Sequence, residues 1–161
     1  MVEFYNEEPS EGPFSGEDDD ERIQFHFEDT EFELQHPARL RQWMEQVIAR
    51  ESCRLQSVSF IFCSDDYLHD LNVQYLEHDT LTDVITFPYL KPPHIEGDIF
   101  ISADRIRDNA GDFGVTFEQE LHRVMIHGIL HLCGHTDKTE ADKSAMTQKE
   151  DEALALLLEL S

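Results

Sequence analysis

An α+β domain, a small mixed sheet of about four strands with packed helices, is what three features of the sequence predict. Short β-rich runs alternate with stretches of helical periodicity. Pro, Gly and Asp clusters punctuate them at domain-scale spacing. One long apolar helix in the second half carries a polar row along a single face, and a candidate metal site falls at its end.

Residues 7 to 21, EEPSEGPFSGEDDDE, are rich in Pro, Gly, Ser and acids and read as a flexible tail, with VEFY before it as a short strand. Residues 1–20 are therefore expected to be an acidic N-terminal extension, and 21–161 a single domain. RIQFHFEDTEFEL places Ile23, Phe25 and Phe27 at period two, the pattern of a half-buried strand. Pro37 opens a helix with Leu40, Trp43, Met44, Val47 and Ile48 on one face. LQSVSFIFCS reads as a strand, and DDYLHDLNVQYL returns to helical spacing. LTDVITF and EGDIFIS are two more strands, joined by the Pro-rich PYLKPPHI. SADRIRDNAGDFG is a short helix capped by Ser102. TFEQELHRVMIHGILHL opens with a capping box, Thr116 and Gln119, and Gly134 stops it. A last helix from about Glu140 to Leu158 turns Met146, Leu154 and Leu157 inward.

With 161 residues, 40% of them hydrophobic, the chain can bury a core. No run approaches the roughly 20 apolar residues of a membrane span, so no membrane partner is expected. The N-terminus lacks the basic start and apolar run of a signal peptide, and Cys53, Cys63 and Cys133 form no C-x-x-C pair. Both point to a reducing, cytoplasmic location. Cys53 and Cys63 read as small buried hydrophobes. The net charge of -23 weighs against phosphate binding, which draws mostly on Lys and Arg. The charge is uneven, however: residues 1 to 36 hold thirteen acids against one base, Arg22. A bound divalent cation would also change the local sign.

The stretch HGILHLCGHTD, residues 127–137, carries the chemistry. On a helix, Glu120, Arg123, His127, His131 and Gly134 fall in one stripe about 80° wide. Leu121, Val124, Met125, Ile126, Ile129, Leu130 and Leu132 surround it. Polar groups in such a setting need partners, and two imidazoles one turn apart offer two nitrogens to one metal. Gly134 can turn the chain back, so that Asp137 meets both histidines as third ligand. Cys133 and His135 are the rivals, the first pointing away and the second following Gly134 too closely. Three protein ligands leave an open position, the mark of a catalytic site. The general base of H-E-x-x-H metalloproteases is missing, since that position is Gly128.

HGILHLCGHTD resembles the H-G-x-L-H-L-x-G-x-D-H signature of the YbeY family. LNVQYLEHDTLTDVITFP (71–88) and GDIFIS (97–102) match two further family blocks in order, and the likeness runs over residues 23 to 155. The resemblance implies a metal-dependent endoribonuclease of ribosomal RNA maturation and ribosome quality control. It aligns the family's third metal-binding histidine with Asp137. It also puts Leu76 where the family has an arginine implicated in activity, and Leu81 where it has a proline.

Something must then neutralise the transition-state phosphate, and Arg123 is the candidate; a salt bridge to Glu120 or to a loop carboxylate is its other reading. Glu120 is read either as general base or as the partner that holds a histidine N–H. Asp83 and Asp98 are read as turn or strand-end residues bonding backbone N–H groups, and Thr82 and Thr86 as strand-face residues. The expectation is a zinc-dependent endoribonuclease of single-stranded ribosomal RNA, with one zinc held by His127, His131 and Asp137 and other divalent transition metals able to take its place. A ribosomal protein or assembly factor would supply docking. The alternatives are a non-catalytic ribosome-assembly factor with a structural metal, and a metal-dependent hydrolase of another bond.

Overall fold

In a computed structural model, which describes residues 21–76 and 82–160, the chain runs β1(Ile23–Phe27), α1(Pro37–Arg50), β2(Arg54–Cys63), α2(Asp65–Leu76), β3(Val84–Pro88), β4(His94–Ser102), α3(Ala103–Phe113), α4(Phe117–Leu132) and α5(Glu140–Glu159). The VEFY strand and the whole acidic extension lie outside the described residues. The sheet order is β1-β2-β4-β3; β1 and β4 flank β2 in parallel, and β3 pairs antiparallel with β4. The sheet is thus mixed and four-stranded, as the alternating runs predict.

Both faces of the sheet are covered, and the period of two sorts the side chains between them. Val58, Phe60, Phe62, Ile95, Ile99 and Ile101 face the larger core, where they meet Leu40, Trp43 and Met44 of α1, Leu121 to Leu132 of α4 and Met146 to Leu157 of α5. Cys63, Ile85 and Phe87 face a smaller core with Leu68 of α2. All five predicted inward residues of α1 are buried. On α5 the inward face is wider than predicted. It adds Ala153, Leu156 and Glu150, while Leu154 is only partly buried.

Helix ends follow the local chemistry. Ser102 Oγ accepts from Arg105 N at 3.1 Å, and Thr116 and Gln119 form the reciprocal capping box. All three cysteines are free thiols; Cys63 is buried and Cys53 partly so. Asp98 departs from its predicted role, because its carboxylate accepts from the Tyr89 hydroxyl at 2.6 Å and not from a backbone N–H. It points to the β3–β4 side, where Tyr89 is the nearer donor. Thr86 is buried on β3.

Two glycines set how closely α4 lies on the sheet. A Cβ at Gly128 would stand 2.9 Å from Ile99 Cδ1, and one at Gly97 would stand 2.6 Å from the Phe87 carbonyl oxygen and 3.0 Å from Leu132 Cδ2. Position 128 therefore faces β4, which explains why the glutamate of H-E-x-x-H has no place here.

Overpacking a core typically costs ~1–3 kcal/mol. Gly97→Ala is expected at the upper end, because backbone must move, and Gly128→Ala lower, because Ile99 can shift; urea unfolding of both variants gives the order. A second expectation concerns Asp65, which accepts from Ser102 Oγ at 2.6 Å and Arg105 Nη2 at 2.8 Å and so ties α2 to the start of α3. Burial pushes its carboxyl up, but the Arg105 and Ser102 hydrogen bonds outweigh it and hold it below the ordinary value. Its contribution is full above the unfolded-state pKa of ~3.9 and is lost as pH falls through the lower folded value. Asp65→Asn should therefore lower stability at pH 7 by about 1–3 kcal/mol. The difference from wild type should shrink in acid, as read from unfolding curves across pH.

Candidate metal centre

Helix α4 brings the site residues together because they share one polar stripe, beside which Asp83, Val84 and Glu150 help to line a cleft. His127 and His131 lie one turn apart with ring centroids 4.6 Å from each other. Gly134 adopts φ 107°, a left-handed turn that suits glycine, and its N–H closes on the His131 carbonyl at 3.0 Å. The chain then swings back, so that Asp137 Oδ2 lies 3.6 Å from His127 Nε2 and 3.7 Å from His131 Nε2. All three ligand atoms fall within 4.8 Å of one another.

Those spacings suit one ion. Donors on a tetrahedral centre with bonds of about 2.0–2.2 Å stand roughly 3.3–3.6 Å apart. The donor set, two imidazoles and a carboxylate, is one that zinc and its neighbours accept. His127 has its Nδ1 engaged elsewhere: this N–H donates to Glu150 Oε2 at 2.6 Å, leaving Nε2 to face the other two ligands. His131 Nδ1 is buried without a hydrogen bond.

The rivals are placed apart. His135 Nε2 bonds Glu51, whose other oxygen takes Lys149 Nζ at 3.0 Å. Cys133 lies beside Cys53, whose Sγ is 4.0 Å from the Cys133 carbonyl oxygen. Neither belongs to the three-residue group.

Around the centre is a cleft of about 310 Å³ lined by Asp83, Glu120, Arg123, His127, Asp137 and Glu150 among others. Glu120 is where the helix stripe predicts, buried and in the cleft, but it is Glu150 that holds the histidine N–H. Burial pushes the Glu120 carboxyl above its ordinary value, and the neighbouring Asp83 carboxylate adds to the shift. Burial likewise raises Asp83, which also bonds the Val84 backbone. The backbone bonding expected of Asp83 is present; its place in the cleft was not anticipated.

Arg123 departs from both salt-bridge partners the sequence suggested. Its Nη1 donates to Glu150 Oε1 at 3.0 Å and its Nη2 to Asp151 Oδ1 at 2.7 Å, so α5, and neither Glu120 nor a loop, supplies the carboxylates. Glu150 thus holds Arg123 with one oxygen and His127 with the other. Sequence reasoning missed it, although a signal exists: it is a glutamate on the inward row Met146, Glu150, Ala153, Leu157 of α5, where an unpartnered acid would be costly.

Comparison with known proteins gives the same picture. The sequence model of the family described as Endoribonuclease YbeY matches residues 23–157. An endoribonuclease YbeY of Flavobacterium johnsoniae is 50% identical over 134 residues, which is 83% of this chain and 96% of the relative. That of Amoebophilus asiaticus is 48% identical over 129 residues, 80% and 88% of the two chains. A solution structure of a Thermotoga maritima protein superposes with a TM-score of 0.61 at 29% identity, covering 84% of this chain and 88% of that one.

An imidazole fixed by a carboxylate binds metal more tightly, and loss of such a partner typically costs ~10–100-fold in affinity. Glu150→Ala should therefore weaken divalent-metal binding by about that factor in competition with a chelator. Glu150→Gln, which keeps an acceptor oxygen, should lose less.

Proposed function

This chain belongs to the YbeY endoribonuclease family, hydrolases of RNA phosphodiester bonds, and we propose that it is a zinc-dependent enzyme cutting single-stranded ribosomal RNA during ribosome maturation. The observation that carries the metal part is the convergence of His127 Nε2, His131 Nε2 and Asp137 Oδ2 in an acid-lined cleft. These three residues would hold the ion. Bound there, a zinc ion supplies Lewis acidity to a phosphoryl oxygen and makes a water or hydroxyl proton easier to remove.

The chain's own groups do the rest. Glu150 keeps the His127 ring turned so that Nε2 faces the site. Glu120, whose carboxyl titrates above the ordinary range, takes the proton of the attacking oxygen at one carboxylate oxygen and returns it to the leaving group. Arg123 lines the cleft and also braces Glu150, so its guanidinium both positions the histidine partner and faces incoming phosphate. Single-stranded RNA suits a cleft of this size, because splayed nucleotides enter where a duplex does not. The surface charge disfavours free RNA, so docking on a ribosomal protein or assembly factor supplies part of the affinity. Among the described residues no helix is long and apolar enough to cross a membrane. We place the protein in the cytoplasm, where its free thiols remain reduced.

A docking factor with a structural metal is the second reading. It is favoured by one observation, Leu76 at the position of the family arginine.

Metal content and cleavage of a short single-stranded ribosomal RNA fragment separate these readings. The wild type should carry about one zinc per chain and cut; Asp137→Ala should lose both, and His135→Ala neither. Arg123→Ala that stops cleavage and keeps metal makes the guanidinium a phosphate clamp. Loss of metal makes it a brace. Metal without cleavage, even with ribosomes present, favours the docking factor.

A further inference from the structure

Beside the metal cleft lies a second depression, and the two share the wall formed by Glu120, Arg123 and Glu150. It is a groove of about 610 Å³ between the N-terminal half of α4, the C-terminal half of α5 and the turn after α3. Part of its lining is apolar. Phe113, Val115, Leu154 and Leu158 line it, and Phe113 is 66% and Leu158 81% exposed. Large apolar side chains grouped at the surface mark binding sites more often than chance exposure does.

Polar groups stand along one edge. Gln119, His122 and Thr147 also line the groove. Burial and the Arg39 charge oppose protonation of His122, and their effect exceeds the opposing pull of Glu118, so its ring stays below the ordinary pKa. A neutral imidazole offers one donor and one acceptor, and an amide and a hydroxyl offer both as well. An aromatic face, aliphatic walls and a few donor–acceptor groups are what a splayed base needs for stacking and edge recognition.

The placement commits the groove to the substrate. Along α4, Arg123 lies one turn before His127 and Gln119 two turns before it, a run of roughly 12 Å at 1.5 Å per residue. A phosphate at the metal centre therefore puts an adjoining nucleotide over the shared wall and its base in the groove. We propose that this groove is a nucleobase subsite, with Phe113 as its stacking platform, that holds an unpaired base of the RNA strand next to the cleaved bond. The inference rests on the endoribonuclease reading and adds a specificity-determining surface to it. It also accounts for how so acidic a protein holds a polyanion: the apolar contacts need no charge on the protein.

The test uses the full chain and a short single-stranded 2′-O-methyl oligouridylate, beside the same strand with one abasic residue moved along it. Base–aromatic stacking is worth ~1–3 kcal/mol, so Phe113→Ala should weaken binding of the intact strand by roughly 5- to 150-fold in fluorescence anisotropy. It should also raise KM for a cleavable strand while bound metal is retained. Phe113→Trp should restore affinity. For the wild type, one abasic position should weaken binding by a similar factor, and Phe113→Ala should add no further loss with that strand. Leu158→Ser, at a site too exposed to upset folding, should show the same pattern in weaker form. The proposal is overturned if Phe113→Ala binds and cuts like wild type, which leaves the groove to a protein partner, or if it loses equally on intact and abasic strands. Wild type that cuts RNA while Phe113→Ala is unaffected rejects the subsite alone; wild type that neither binds nor cuts RNA rejects it together with the endoribonuclease reading.

Discussion

The carboxylate of Glu150 is the constraint on which the site depends. It is buried, and a buried carboxylate is stable only when its oxygens find donors. Both do: one takes the Arg123 guanidinium and the other the His127 N–H. That pair of contacts joins α5 to α4 at the metal centre, selects the ring tautomer of His127 and turns its free nitrogen towards His131 and Asp137. Without α5 in place, α4 would still present two histidines, but one would be free to rotate. Fold stability and metal affinity are therefore coupled through a single side chain.

The sheet supplies the other half of the geometry. Helix α4 can approach β4 closely because glycines stand at 97 and 128, and this close packing leaves the neighbouring stripe, with both histidines, at the cleft. The same packing rules out a general base at position 128. The cleft beside the stripe crowds several carboxyls together, and burial raises both Glu120 and Asp83 above their ordinary values. A familiar pair of helical histidines is thus combined with a glycine at the position that the H-E-x-x-H glutamate takes, because of the space available between helix and sheet.

Charge is the second theme. Roughly half of the net charge belongs to residues 1 to 36, away from the histidine stripe in the sequence. Within the cleft Asp83, Glu120, Asp137 and Glu150 gather around a single guanidinium. Such a cleft presents negative charge to an incoming phosphate, and a bound cation would change that local sign. The cleft itself thus offers less basic surface than is usual for nucleic-acid proteins.

Local chemistry was legible from the residues. The capping box at Thr116, the cap at Ser102, the buried face of α1, and a histidine pair followed by Gly134 and Asp137 each join residues close together in the chain, where backbone geometry leaves few choices. The class of sheet was legible from the alternation of strands and helices. What depended on distant segments was not. The partners of Arg123 lie 27 and 28 residues away, Glu150 stands 23 residues from His127, and Asp98 turns to Tyr89 nine residues back across a strand pair. Strand order, with β4 between β2 and β3, likewise follows from how two cores share one sheet. Sequence by itself determined which groups could bind a metal; tertiary packing decided which carboxylate would hold them still, because a long-range contact is set by the whole core and not by its own neighbours.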